Sequence, residues 1–261
     1  MRTRDVVGTY LRVGALNELQ YRVNFWLQLL QSTVALGTAI AVIALVFRYT
    51  EDLGGWSSSE LLVVLGVHVL LGGVIQAVVQ PNMQLLMDDI REGKLDHLLL
   101  KPVDAQLLVS VRQVALWKLV DVLVGLGVVA VGLARLGRVP TAGAVVGFVL
   151  TLLLGAVLVY CFWLAITTAA FWVVRMEHVA ELFNGLYQAG RWPVTLFPGW
   201  LRVGFTVLVP LAFAVTVPAE VVTARAGWEA VATAGAFTAV VVLATRWFWR
   251  RGLASYSGAS A

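Results

Sequence analysis

The sequence predicts an all-α membrane protein with six transmembrane helices, an interfacial helix ahead of them, and a charged cytoplasmic helix between spans two and three. Three observations carry this. Apolar residues make up 60% of the 261-residue chain and charged residues only 13%, against roughly 45–50% and 25% in soluble domains. Mean hydropathy is +0.85. The apolar residues also fall in runs of span length: a bilayer core takes about 20 residues of helix, so the chain has room for six crossings and short connections.

Residues 1–22 are too polar to cross. Val6, Val7, Tyr10, Val13, Leu16 and Leu19 recur near helical spacing among arginines, the pattern of a helix lying along a membrane surface. No short apolar core with a small-residue cleavage site follows, so the stretch does not read as a signal peptide. Residues 23–248 form the transmembrane domain, with spans expected at about 23–47, 61–81, 113–134, 143–174, 200–217 and 229–248. The first, second and fourth contain no Asp, Glu, Lys or Arg. The third starts around Lys118 and Asp121 and stops before Arg135 and Arg138. The fifth is short and carries Pro210, which lacks a backbone donor. Residues 249–261 form a C-terminal tail.

Orientation follows from the basic residues. With the N-terminus inside, every Lys and Arg falls on a cytoplasmic segment except Arg48, Arg135, Arg138 and Arg225. The opposite orientation would leave those four alone in the cytoplasm, against the positive-inside bias. Both termini are therefore expected to be cytoplasmic. The net charge of +4 has this topological origin and implies no nucleic-acid partner.

The residues exclude most chemistry. Cys161 stands alone in an apolar run, so neither a disulfide framework nor a CxxC site can be built, and it reads as packing. His68, His97 and His178 are scattered without metal-ligand spacing, which argues against an intramembrane enzyme. No GxxxxGK[ST] phosphate loop is present, so the chain is expected to bind no cofactor of its own. A secondary transporter or channel would place ionisable groups near the bilayer midplane, and these spans are nearly free of them. Lys118 and Asp121, at i and i+3, are expected to pair locally. His68 and Gln76, polar residues within span two, are candidates for lining a translocation path. The tryptophans are expected to be interfacial anchors.

The longest charge-dense segment runs from Asp88 through Asp89, Ile90, Arg91, Glu92, Gly93, Lys94, Leu95, Asp96 and His97 to Lys101 and Pro102. Gly93 can make a turn and Pro102 cannot donate a backbone hydrogen bond, so a short helix bounded by turns is expected there. Here the chain resembles the ABC-2 permeases, within them a bacterial subgroup with the signature Ile-Arg-x-Gly-x-Leu-Asp-x-Leu-Leu-x-Lys/Arg-Pro, which Ile90–Pro102 follows with little departure. The resemblance continues through Trp192-Pro193, Phe197 to Arg202, Pro210 to Phe213, Val217 to Ala219 and Trp249 to Ala259.

The resemblance implies the permease subunit of an exporter in the bacterial plasma membrane. ATP and Mg would be held by separate ABC ATPase subunits, and a second permease chain, identical or related, would complete the path for an amphiphilic or hydrophobic substrate. It also implies that Asp88, Asp89, Arg91, Glu92, Gly93, Lys94, Leu95 and Asp96 belong to a coupling helix seated on the ATPase. Glu177 and Glu181, in a loop from Arg175 to Arg191, would fall at a second ATPase contact. The family's re-entrant hairpin before the last span has only Pro218 to Trp228 available to it, enough for a short extracellular elbow. The readings that compete with the exporter are a secondary transporter or channel, and a non-transporting membrane assembly factor.

Overall fold

A computed structural model describes residues 22–101, 103–137, 139–172 and 179–256, together with Gly8. Among these residues all regular structure is helical. Five helices are long and apolar enough to cross a membrane: Val23–Val46, Ser58–Arg91, Leu116–Arg135, Ala142–Ala169 and Trp228–Ser255. The elements are α1 (Arg22–Val46), α2 (Ser58–Val74), α3 (Gln80–Arg91), α4 (Asp96–Leu99), α5 (Ala105–Ser110), α6 (Leu119–Arg135), α7 (Ala142–Ala169), α8 (Val179–Ala189), α9 (Gly199–Val203), α10 (Val217–Val222) and α11 (Trp228–Ser255). The interfacial helix expected over residues 1–22 falls almost wholly outside the described residues, as do Glu177 and His178.

Helix α2 is the centre of the bundle. Ser57 caps it by accepting from the Glu60 amide while the Glu60 carboxylate accepts from the Ser57 amide, so two otherwise unpaired donors are satisfied reciprocally. Its buried face packs on α6 through glycines seven residues apart. A Cβ on Gly125 would lie 2.4 Å from the Leu70 nitrogen, and one on Gly66 would lie 2.7 Å from the Val129 nitrogen. Gly73 and Gly132 repeat the arrangement one heptad further along each helix. With no solvent to drive apolar association in lipid, close backbone approach between small residues supplies the packing.

A π-helical turn, Ile75–Val79, joins α2 to α3 so that the two make one 34-residue stretch. Pro81 has no N–H to give the Ala77 carbonyl four residues before it. That buried carbonyl instead accepts from the Ala115 amide at 2.8 Å, which ties the approach to α6 onto α3. Asn82 completes the tie. Its amide nitrogen donates to the carbonyls of Val78 and Gln113, both at 2.7 Å, and its oxygen accepts from the amides of Arg112 and Gln113 at 2.8 and 2.9 Å. Every donor and acceptor site of this fully buried side chain is filled.

The fifth crossing is not where the sequence places it. The stretch 199–222 is a pair of helical pieces, Gly199–Val207 and Ala212–Val222, bent by 77°. Both flanks of the pair meet the same loop. Thr195 accepts from the Trp56 indole at 3.0 Å, and Arg225 donates to the Gly55 carbonyl at 2.7 Å and to Glu60 at 3.0 Å. Between them Ala214 packs where a Cβ on Gly155 would lie, 2.7 Å away, which is roughly 20 Å along α7 from its first residue at 1.5 Å per residue. The chain therefore dips from the Trp56 end to mid-depth and returns to that end. This is a re-entrant hairpin over 199–222, which corrects both the span expected at 200–217 and the short elbow expected at Pro218 to Trp228.

The crossing itself is α8 with the turn that follows. Phe183 packs on Trp163, deep along α7; Tyr187 reaches His68, ten residues into α2; Thr195 arrives at Trp56. The segment expected as a cytoplasmic loop, Arg175 to Arg191, is from Val179 onward part of this path. Pro193 and Gly190 break its regular helix, which is why apolar run length concealed it.

Candidate functional site

Two features stand out, one at mid-depth and one at the Gly93 end. At mid-depth a cavity of about 460 Å³ opens between α1, α2 and α8, with the start of α6 at its edge. Both residues chosen from span two, His68 and Gln76, line it. The His68 ring stacks on Tyr187 at 4.4 Å between centroids, and the Tyr187 hydroxyl donates to the His68 carbonyl at 2.7 Å. His68 Nδ1 is buried without a partner.

Asp121 stands at the cavity's edge and is 9% exposed. It does not pair with Lys118 as expected. The Gln28 amide donates to it at 2.8 Å, and the Ser32 hydroxyl donates to its other oxygen. Gln28 also donates to Ser32 at 3.2 Å. A helix places residues three apart on neighbouring faces, but Asp121 turns toward α1, where two neutral donors on consecutive turns meet it. Lys118 lines the same cavity. Gln28 and Ser32, unremarkable within a charge-free run, were missed by sequence reasoning. Their i, i+4 spacing was the available signal.

At the Gly93 end, α3 stops in a glycine turn. Gly93 adopts φ +67°, the left-handed region that an L side chain resists. The Lys94 amide bonds the Asp89 carbonyl at 2.8 Å and the Gly93 amide bonds Ile90 at 3.4 Å, a Schellman ending. The geometry of this turn thus favours glycine at position 93. Asp88, Arg91, Glu92 and Lys94 are exposed around this turn, and Asp96 opens α4. Glu92 and Lys94 pair with each other, and that hydrogen bond holds the Glu92 carboxyl below its usual range and raises the Lys94 ammonium.

Two residues of the expected docking set point inward instead. Asp89 is paired with Arg112 at 2.6 Å, the side chains only 13% and 11% exposed, and Leu95 is 1% exposed. They hold the turn in place. Glu181 is exposed in the first turn of α8.

The tryptophans divide likewise. Trp26, Trp172, Trp200, Trp228 and Trp247 are exposed, but Trp56, Trp163 and Trp249 are fully buried. Trp56 lies under the Arg225 guanidinium, 4.2 Å from its ring centroid, so it is part of a knot at its own end rather than an anchor in lipid. Among the described residues no group of His, Cys, Asp and Glu could hold a metal ion.

The fold defines a polytopic helical membrane protein with a cavity between its spans. The family model for ABC-2 family transporter proteins matches residues 33–260, and the chain belongs to that family: it is a transmembrane component of a transporter, not a catalytic subunit. No curated protein and no solved structure matches.

Proposed function

We propose that the chain is the permease subunit of an ATP-driven exporter in a bacterial plasma membrane, with the Gly93 end and both termini in the cytoplasm. Separate ABC ATPase subunits would bind ATP and Mg and dock on the exposed turn formed by Asp88, Arg91, Glu92 and Lys94, with Glu181 a second contact. The observation that carries this reading is mechanical. The turn terminates the same 34-residue stretch that lines the cavity with His68 and Gln76, about 50 Å of continuous helix. A push at the turn is delivered along α2 to the cavity wall, because Asn82 and the Asp89–Arg112 pair fix the turn to its neighbours. Two states that differ in cavity access and in ATPase contact are what such a coupling needs. A second permease chain completes the path, since among the described residues the cavity is walled by α1, α2, α8 and the start of α6 and has an open side.

The test is co-purification of the tagged chain with the products of neighbouring genes. A stoichiometric ATPase supports the reading; an intact, folded permease without one overturns it. Exchanging charge at the turn, Arg91→Glu with Glu92→Lys, should then leave insertion intact while separating ATP hydrolysis from transport. Asp121 beside the cavity is the feature a secondary transporter would use, and proton-driven movement of cargo without ATP would favour that reading.

A further inference from the structure

We infer that the cavity between α1, α2 and α8 recognises an amphiphile by an anionic, hydrogen-bonding headgroup. The inference names the cargo of the exporter proposed above, and rests on that reading for the word cargo.

The cavity is graded along the membrane normal. Helices α1 and α2 run antiparallel, so Gln28 and Ser32 on α1 lie beside Gln76 in the π-helical turn and Gln80 at the start of α3, toward the Gly93 end, while Leu36 and Ala39 lie beside Leu65 and Val69, toward the Trp56 end. One end offers hydrogen bonds and the other offers apolar surface. This is the lining an amphiphile needs, and it favours the first member of the expected pair, an amphiphilic or hydrophobic cargo.

The polar end is under-satisfied. The carboxamides of Gln31, Gln76, Gln80 and Asn184 have no protein hydrogen-bond partner among the described residues, although they line a cavity at membrane depth. Each is partly or fully accessible, so its donors and acceptors are open to whatever enters the cavity. Carboxamides both donate and accept, so hydroxyl, phosphate or carboxylate oxygens suit them.

Charge selects among these. Lys118 and Arg191 both line the cavity, Arg191 also donating to Gln188, and among the described lining residues the one carboxylate, Asp121, has its oxygens occupied by Gln28 and Ser32. An anion meets Lys118 and free amide donors at the polar end, with Arg191 further along the same cavity toward Trp56. A cationic headgroup would meet a carboxylate already engaged. At about 460 Å³ the space suits a headgroup and the first methylenes of its chain.

The test uses the purified full chain in nanodiscs of neutral lipid, with empty discs as the blank, and three radiolabelled probes sharing a dodecyl chain: dodecyl phosphate, dodecyl maltoside and dodecyltrimethylammonium. Dodecyl phosphate should bind saturably and about tenfold more tightly than the trimethylammonium probe, the margin of one charge-assisted hydrogen bond, with the maltoside between them. Lys118→Gln combined with Arg191→Gln should abolish the preference. Gln31→Lys, on the exposed face of α1, gives a second reading if that pair fails to insert: it should tighten phosphate binding and weaken trimethylammonium binding, each several-fold. Equal binding of the two charged probes, a preference for the cation, or a preference unmoved by these variants would overturn the inference. Binding needs no ATPase, so the two readings fail separately. A preference without a co-purifying ATPase removes the exporter and keeps the site; a co-purifying ATPase without a preference does the reverse.

Discussion

The two sides of α2 are held by different physics. Toward α6 it is locked by backbone contact: Gly66, Gly73, Gly125 and Gly132 bring the helices so close that a single methyl would strike main-chain atoms or their immediate neighbours. Toward α1 it faces a cavity, and α1 is attached to α6 by Gln28 and Ser32 on one carboxylate. Most of α1 is exposed, including Val23, Trp26, Leu27 and Leu30. A contact made of interlocked backbone has one register, whereas a contact made of a few hydrogen bonds around an open space can be exchanged for others. The difference makes α2–α6 the tightly held pair and α1 the more weakly held wall.

The sharpest way to break this comparison is within α6 itself. Gly125→Ala should be the most damaging, exceeding the roughly 1–3 kcal/mol of ordinary overpacking, because the new methyl meets the Leu70 backbone at 2.4 Å. Gly127→Ala, two residues away with nothing within 4 Å, should stay within about 1 kcal/mol of the parent or gain from better helix propensity. Thermal unfolding of both in detergent decides it, and equal losses would show that the close approach is not what holds the pair. Next in size is Asp89→Ala, which strands the largely buried Arg112, whose Nε and second Nη already lack partners. A loss of about 3 kcal/mol is expected, and most of it should return in Asp89→Ala with Arg112→Met. Glu92→Ala at the exposed turn should leave the melting temperature unchanged.

Much of this scaffold was legible in the sequence because span length and charge exclusion follow directly from the bilayer. The runs containing α1, α2, α6, α7 and α11 were found on that basis. The α8 crossing and the hairpin were exchanged because the hairpin is apolar enough to pass for a span, whereas α8 is short and carries Glu181, Asn184 and Gln188, with Arg191 just beyond it. Only the tertiary contacts of Thr195 and Arg225 with the loop before α2 tell a crossing from a return. Gly93 was legible as a turn and proved to need φ +67°. That Asp89 faces Arg112 was not legible, since neighbouring acidic residues look alike until a helix decides which one turns inward. His68 and Gln76 were legible as polar residues at membrane depth, but the other walls of their cavity, on α1 and α8, come from segments far away in sequence.

A subtler change should loosen only the weakly held side. Asp121→Ala leaves Gln28 and Ser32 without their acceptor, for about 1–3 kcal/mol, and amide exchange should quicken across residues 22–34 while α2 and α6 stay protected. Uniform acceleration across all three helices would mean that α1 belongs to the scaffold after all.

The smallest effect concerns a pin that is neither buried nor part of the cavity. Arg246 of α11 donates to both oxygens of Asp104, which in turn caps α5 by accepting from the Leu107 amide at 3.2 Å. The Arg246 hydrogen bond holds the Asp104 carboxyl below its ordinary value of 3.8. A carboxylate lowered in this way stabilises the fold fully above its ordinary value, and the contribution disappears as pH falls through the lowered one. Both side chains are about a third or more exposed, so solvent screening limits the term to about 1 kcal/mol or less. Asp104→Asn isolates it, because asparagine keeps the helix cap and removes only the charge. The variant should melt slightly below the parent at pH 7, the gap narrowing in high salt and closing as pH falls well below 3.8. A gap that persists in acid would assign the effect to the cap, and Arg246 would then be a bystander to the attachment of α5.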